Sequence, residues 1–280
     1  MELKTVVVTG ANGQVGKQLL AALQGQCQAS IALVRNSIEL PATEVISDWR
    51  NSFKAREAIS KADAIVHLAG TLKPSRGDYI SANIKTTEAI VSALSNPQTQ
   101  RVIFLSYVGA SEISSNAYLS AKARSESILR SSGCPCTIFR CTHIIGSPEN
   151  PGLTAVNLLS RNGKAVTVLG SGQQQVAPIY LNDVVSAIIA ALHQRHNGIF
   201  DLAGTECLSM DDLVKLLNSN NTIKINHLPP LIARFLSRFA RDLPSALVEV
   251  MLADSVGNSQ RAVERFNLTL TPLRQIWTTT

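Results

Sequence analysis

The chain has 280 residues, 45% of them hydrophobic and 16% charged, with a formal net charge of +6. That length supports one large domain, or one domain with an appendage, and the balance excludes a disordered chain. No apolar run approaches the roughly 18 residues of a membrane-crossing helix, and no basic cluster interleaved with aromatic residues marks a nucleic-acid surface in roughly the first 200 residues, so the mild positive excess suits an anionic small ligand.

In chain order, MELKTVVVTG enters a strand almost at once, which leaves no room for a signal peptide and makes the cytoplasm the expected compartment. Thr5 to Thr9, Ser30 to Val34, Ala64 to Leu68, Arg101 to Leu105 and Cys136 to Arg140 are short, continuously apolar and rich in β-branched residues, as strands buried on both faces require. Helical patterns lie between them at Gln14 to Leu23, Ala55 to Ser60, Tyr79 to Leu94 and Ala117 to Ser131. This alternation predicts an α/β fold, a doubly wound parallel sheet with right-handed crossovers. Past residue 146 the pattern loosens: SPENPG reads as a loop, Leu153 to Arg161 as a helix, and LGSGQQQ as a second loop. PIYL and NDVVSAIIAALHQ read as a further strand and helix with Asn182 or Asp183 as N-cap, and GIFDLAG as one more strand. From about Leu208 the chain is helical and punctuated by proline, which predicts a smaller C-terminal lobe. Five cysteines (Cys27, Cys134, Cys136, Cys141, Cys207) should be reduced thiols, and Cys134-Pro-Cys136 lacks the spacing of a zinc site, so no metal is expected.

The first strand runs into Gly10-Ala-Asn-Gly13-Gln-Val-Gly16 and then a helix. Glycines at that junction permit a tight turn and close backbone approach to a pyrophosphate, and the helix N-terminus supplies free N–H donors. Gly10, Asn12, Gly13, Gln14, Val15 and Gly16 are therefore the expected phosphate cradle. The second strand ends in Leu33-Val34-Arg35-Asn36, without the acidic residue that would grip a ribose 2′-hydroxyl. The Arg35 guanidinium suits a 2′-phosphate, so NADP is expected with NAD possible; a solvated strand-end charge is the alternative. Asp48 and Trp49 follow strand-like EVIS, where a carboxylate could accept from the adenine amino group or simply close a turn.

AYLSAKARSE sets Tyr118 and Lys122 at i and i+4, on one face of a helix. A cation beside a phenol favours phenolate and would lower the tyrosine pKa, giving a proton donor and acceptor for carbonyl or alcohol chemistry.

The G-x-x-G-x-x-G loop, HLAG at 67–70 and Tyr118-x-x-x-Lys122, in this order, resemble the short-chain dehydrogenase/reductase superfamily, most closely its extended and atypical branch of NAD-dependent epimerase/dehydratase-like proteins. VRN, NIKTTEAIVSAL, FRCTHIIG and IYLNDVVSAI resemble further segments of that branch, and the tail is similar to atypical members related to the NAD(P)H-binding accessory subunit of respiratory complex I. The resemblance implies a Rossmann domain over 1–150 with a returning segment at about 176–203, and a substrate or lid lobe from 151–175 and 204–280. It implies Leu68, Ala69 and Gly70 on the adenine-ribose side, Tyr118 as acid/base, Lys122 on the nicotinamide ribose, Asn83 in a proton relay or bonded to backbone, and His143 against substrate or in the interior. His67, within a strand, reads as structural. The superfamily's serine or threonine after the fourth strand is out of register: its position falls on Tyr107, with Ser106 one residue early. Losing such a donor costs about 2.7–4 kcal/mol of transition-state stabilisation.

Two functions remain. One is an NAD(P)-dependent oxidoreductase or epimerase/dehydratase-like enzyme acting on a small carbonyl, alcohol or sugar-nucleotide substrate. The other is an NADP(H)-binding sensor, regulatory or assembly protein with a weak active site. A monomer or homodimer is expected. The segment PPLIARFLSRFARDLP (229–244) carries Leu231, Ile232, Phe235, Leu236 and Phe239 at helical spacing, with Arg234, Arg238 and Arg241 between them. Its ordinary reading is a helix whose apolar face packs on its own domain; contact with a membrane surface or partner protein, or a lid over substrate, are the alternatives.

Overall fold

The computed structural model describes residues 3–74, 78–160, 165–219, 223–240 and 242–278. In chain order the elements are β1 (Leu3–Thr9), α1 (Gln14–Ala22), β2 (Cys27–Leu33), β3 (Glu44–Ile46), α2 (Phe53–Lys61), β4 (Ala64–His67), a π-helical turn (Ile80–Ile84) running into α3 (Lys85–Ala93), β5 (Arg101–Tyr107), α4 (Ala117–Ser131) and β6 (Cys136–Cys141). They continue with β7 (Ile144–Ile145), α5 (Gly152–Leu158), β8 (Val166–Leu169), β9 (Gln175–Val176), β10 (Ile179–Tyr180), α6 (Leu181–Gln194), β11 (Gly198–Leu202), β12 (Leu208–Ser209), α7 (Met210–Leu217), β13 (Ile225–Leu228), α8 (Pro230–Leu236), α9 (Ser245–Leu252), α10 (Gln260–Phe266) and α11 (Leu273–Trp277).

Seven parallel strands form the main sheet in the order β11-β6-β5-β4-β1-β2-β3. Strand order reverses between β1 and β4, so the loops leaving their C-terminal ends diverge and open a crevice. The sheet's continuously apolar strands are explained by two cores. Leu19 and Leu20 of α1, Ile188 and Leu192 of α6 and Phe266 of α10 cover one face. Ala55 and Ile59 of α2, Ile90 of α3 and Leu129 of α4 cover the other. This is the expected doubly wound fold.

The second half departs from the sequence reading in detail. PIYL supplies only β10, which pairs in parallel with β7 outside the main sheet, while GIFDLAG supplies β11 at the sheet edge. Neither Asn182 nor Asp183 caps α6; the N-cap is Tyr180, and Asp183 instead accepts from Thr271 N and Oγ1 at 2.6 and 3.0 Å. That carboxylate ties down the C-terminal segment. The predicted helix from Leu153 ends at Leu158, and Arg161 lies outside the described residues. The parallel pair β8 and β13 was not legible, because its members lie far apart in sequence. A third core, apart from the two that cover the main sheet, joins Ala155, Leu158, Val168, Leu213, Leu217 and Trp277 with Ile145 and Val176. Among the described residues no helix is long and apolar enough to cross a membrane.

Candidate active site

The glycine loop is fixed by backbone contacts. Gly10 sits at φ +65°, and a Cβ there would meet Leu68 C and Ala69 N of the loop after β4 at 2.8 Å. A Cβ on Gly16 would lie 2.6 Å from Gly10 O and 2.7 Å from Ala11, so helix α1 starts this close to β1 only because the position is glycine. Gly13 N donates to Gly10 O at 2.9 Å and Gly13 is the N-cap of α1 without a side-chain cap. The N–H groups of the helix's first turn therefore have no intrahelical acceptor and point out of its end. Asn12 and Gly13 are exposed, and Gln14 and Val15 half-buried.

At the end of β2, Arg35 is exposed and forms no ion pair among the described residues. Asp48 lies beside it: its N–H donates to Arg35 O at 3.1 Å, and its φ is +43°. The Asp48 carboxylate accepts from Asn51 Nδ2 at 3.1 Å. Trp49 does not belong with these exposed groups. Its side chain is buried in the core beneath α2, so it packs the fold rather than forming an open wall.

Across the crevice, Ala69 N donates to Thr9 Oγ1 at 3.1 Å, and Leu68 N to Thr9 O. Thr9 also holds His67, whose Nδ1 lies 2.8 Å from its hydroxyl while Nε2 lies 3.0 Å from Thr87 Oγ1. Burial and then the Lys122 charge push His67 down to about 3, so it is a neutral structural residue. Asn83, in the π-helical turn, accepts from Thr71 N at 3.2 Å and donates to Thr71 O and Tyr79 O at 3.3 and 3.2 Å. Its amide is thus engaged with backbone, the second of the two readings the sequence left open. A Cβ on Gly70 would meet Asn83 Oδ1 at 2.7 Å and Lys122 Nζ at 3.1 Å, which brings the loop after β4 against α4.

Helix α4 begins where its cap dictates. Asn116 Oδ1 accepts from Tyr118 N and Leu119 N, while its Nδ2 donates to Ala246 O of α9 at 3.0 Å. Tyr118 is 9% exposed and lies among Tyr79, Ile84, Ala246 and Val250. The expected lowering of its pKa is overturned: burial first, then Tyr107, raise it above that of a free phenol. Lys122 does not offset this. Its ammonium donates to Leu105 O at 2.8 Å, stands 4.7 Å over the Phe104 ring, and is 5.9 Å from the Tyr118 ring centroid. Burial brings Lys122 itself down to about 8.

Ser106 and Tyr107 leave β5 on opposite faces, as successive strand residues must. Ser106 Oγ donates to Glu126 Oε1 at 2.5 Å, and Glu126 is clasped by Arg140 through Nε and Nη2 at 3.0 and 2.6 Å. Ser106 is therefore engaged by a largely buried ion pair, on the face of β5 away from Tyr107. Tyr107 stands edge-on to Tyr118 at 5.9 Å, with its hydroxyl 2.9 Å from Ser255 Oγ and 3.4 Å from His143 Nδ1. Burial pushes Tyr107 up to about 12 and His143 down to about 4, and His143 Nε2 is buried without a partner among the described residues. Tyr107 and His143 thus share a hydrogen-bonded cluster with Ser255, and Tyr118 packs edge-on against Tyr107 beside one buried cation.

The sequence reading missed Glu126, Arg140, Asn116 and Ser255. Glu126 was detectable, since Tyr118, Lys122 and Glu126 are four residues apart on one helix. Ser255 was not, lying 148 residues from Tyr107.

The sequence profile of the NAD dependent epimerase/dehydratase family matches residues 6–203, from β1 through β11. The chain belongs to this family. A curated relative is NADH dehydrogenase [ubiquinone] 1 alpha subcomplex subunit 9, mitochondrial, of Arabidopsis thaliana, 24% identical over 75% of this chain and 56% of that protein. Another is UDP-2-acetamido-2,6-beta-L-arabino-hexul-4-ose reductase of Pseudomonas aeruginosa, 27% identical over 67% of this chain and 49% of that protein. The chain spans about half the length of these curated relatives. Among solved structures, UDP-glucuronic acid 4-epimerase from Bacillus cereus, in complex with UDP-glucuronic acid and NAD, superposes with a TM-score of 0.75 at 17% identity over 98% of this chain and 96% of that one. UDP-N-acetylglucosamine 4-epimerase from Methanobrevibacter ruminantium M1 gives 0.78 at 19% identity over 99% and 96%. These likenesses establish the epimerase/dehydratase fold. The dinucleotide implied by the family name fits the loop described here: Gly10 and Gly16 allow backbone contacts that any Cβ would break, and these hold the uncapped first turn of α1, with its free N–H donors, at the end of β1.

Proposed function

We propose that the chain is an NAD(P)-dependent oxidoreductase or epimerase/dehydratase-type enzyme acting on a small carbonyl, alcohol or sugar-nucleotide substrate. The observation that carries this reading is the convergence of Tyr118, Lys122 and Tyr107 at the carboxyl end of the sheet, with Lys122 Nζ 3.1 Å from a Cβ built on Gly70. The first turn of α1 and Gly10, Gly13 and Gly16 would hold the pyrophosphate, and Lys122 the ribose nearest the reacting carbon. The dinucleotide, when bound, supplies the hydride chemistry. Tyr118 would hold or deliver a proton at its Oη to a substrate oxygen, a task suited to the neutral phenol that burial enforces. Tyr107, tied to Ser255 and His143, would stand in for the superfamily's serine by donating to the same oxygen. Elements from 151–175 and 204–280 would form the substrate lobe.

For the cofactor we favour NADP(H), on the exposed Arg35, which forms no ion pair among the described residues; NAD is what the solved epimerase from Bacillus cereus holds. Five free cysteines support a reducing compartment such as the cytoplasm. A second reading, an NADP(H)-binding sensor or assembly protein, is favoured by the roof that α9 places over Tyr118 and by the engagement of Ser106 with Glu126.

Titration of both reduced dinucleotides and a turnover panel of carbonyls and sugar nucleotides test these readings. An enzyme should lose about 100-fold or more of its rate on Tyr118→Phe while keeping its dinucleotide affinity. Tight NADPH binding without turnover would leave the sensor. If neither dinucleotide binds, both readings fall; if NADPH binds no tighter than NADH, the role given to Arg35 is wrong.

A further inference from the structure

Helix α8 is built inside out. Its buried residue is Ala233, at 0% exposure, whereas Leu231, Ile232, Phe235, Leu236 and Phe239 are 79, 48, 58, 41 and 74% exposed. These five are nearly half of the eleven large hydrophobic residues exposed among the described residues, and they fall within nine consecutive positions. Single exposed hydrophobics need no explanation, but a contiguous patch does. The expectation that this face packs on its own domain is therefore overturned.

The geometry makes the patch one surface. The helical turn continues past Leu236, since Ser237 N donates to Ala233 O and both Phe239 N and Ala240 N donate to Leu236 O. At about 100° per residue the five apolar side chains fill an arc of roughly 140°, with Ala233 about 60° beyond one border and Arg238 and Arg234 about 20° and 60° beyond the other. The Phe235 and Phe239 rings meet within the arc, tilted by 58° with centroids 5.3 Å apart. A bidentate pair from Arg234 to Glu249, at 2.7 and 2.9 Å, and the contact of Ala233 hold α8 to the lobe, so the arc faces outward.

We propose that this ridge docks on an anionic lipid surface. The helix and the turn that continues it to Ala240 span only roughly 16 Å, enough to lie in a membrane interface and too short to cross it. The ridge is convex, which suits a fluid surface. Arg238 borders the arc, is exposed, and forms no ion pair among the described residues, so it can reach lipid phosphates. With Arg234 paired to Glu249, the 229–244 segment sets Arg238 and Arg241 against one aspartate, in a chain of net charge +6, which matches a negative leaflet and opposes stacking on a second copy. Arg241 belongs to that charge count and lies outside the described residues. The proposal is independent of the reaction catalysed.

The test is flotation of the full chain with vesicles of phosphatidylcholine alone and of phosphatidylcholine with about a third phosphatidylglycerol, across a salt series. Expected is binding to the anionic vesicles only, weakening as salt rises. Phe235→Ser combined with Phe239→Ser should reduce it at least roughly tenfold, and Arg238→Gln roughly fivefold, with thermal unfolding unchanged in each. No binding to either vesicle would overturn the proposal, as would equal binding of the parent and the double variant. A concentration-dependent dimer in sedimentation that the double variant abolishes, without vesicle binding, would overturn it in favour of a second copy.

Discussion

The glycine loop after β1 and the tyrosine centre on α4 lie at the same end of one sheet, yet they are built in different ways. The loop is a backbone object. Its shape follows from Gly10 at positive φ and from the contact of Gly16 with Gly10 O and Ala11, within a dozen residues of one another. The tyrosine centre is assembled from side chains of β5, α4, the segment after β6 and the lobe, with Ser255 and Ala246 arriving from far along the chain. A backbone site keeps its chemistry wherever its local sequence folds. A side-chain site takes its chemistry from its surroundings, which is why the same Tyr118-Lys122 spacing ends with a raised tyrosine pKa and a lowered lysine pKa.

The largest effect should come from the ion pair beneath the tyrosine centre. Glu126 is almost fully buried while Arg140 keeps some exposure, so Glu126→Ala should cost roughly 3 kcal/mol, at the low end for a broken buried pair, in chemical denaturation. A cost below about 1 kcal/mol would mean that the pair does not support the centre. Next comes the loop. Gly16→Val pushes atoms into Gly10 O and Ala11 and should destabilise by about 1–3 kcal/mol while abolishing dinucleotide binding by calorimetry. Retained affinity would show that the cradle is not where the pyrophosphate lies.

The third test uses pH. His67 and His143 are held at about 3 and about 4 against 6.5 for an ordinary histidine, so the unfolded chain binds protons that the folded chain refuses. Their contribution is full above about pH 6.5 and is lost as pH falls, by up to ~1.4 kcal/mol per pH unit for each. His143→Gln should flatten the fall between pH 6 and pH 4 by about one proton's worth. An unchanged slope would place a charged or exposed imidazole at 143. Lys122 acts in the same direction at higher pH: held at about 8 against 10.5, it makes stability rise between those values. The smallest effect separates the two helix caps. Ser52→Ala and Asn116→Ala should each cost about 1 kcal/mol, but only the second should speed hydrogen exchange in α9, because only Asn116 also binds Ala246 O. Equal exchange in both variants would remove the cap's link to the lobe.

The sequence by itself determined the doubly wound sheet, the glycine loop, the placement of Tyr118 and Lys122 on one helix face, and the interior role of His67. Each depends on spacing within about 10 residues or on apolar runs that only a sheet covered on both faces can bury. Tertiary structure decided the rest. It put Trp49 in the core, turned Ser106 toward Glu126 and Tyr107 toward Tyr118, engaged Asn83 with the Thr71 backbone, and used Asp183 as a clasp for Thr271 instead of a cap. It also left the apolar arc of α8 outside. The physical reason is common to all of these: burial and hydrogen-bond partners belong to the surroundings of a side chain, and those surroundings are assembled from segments that the local sequence does not contain.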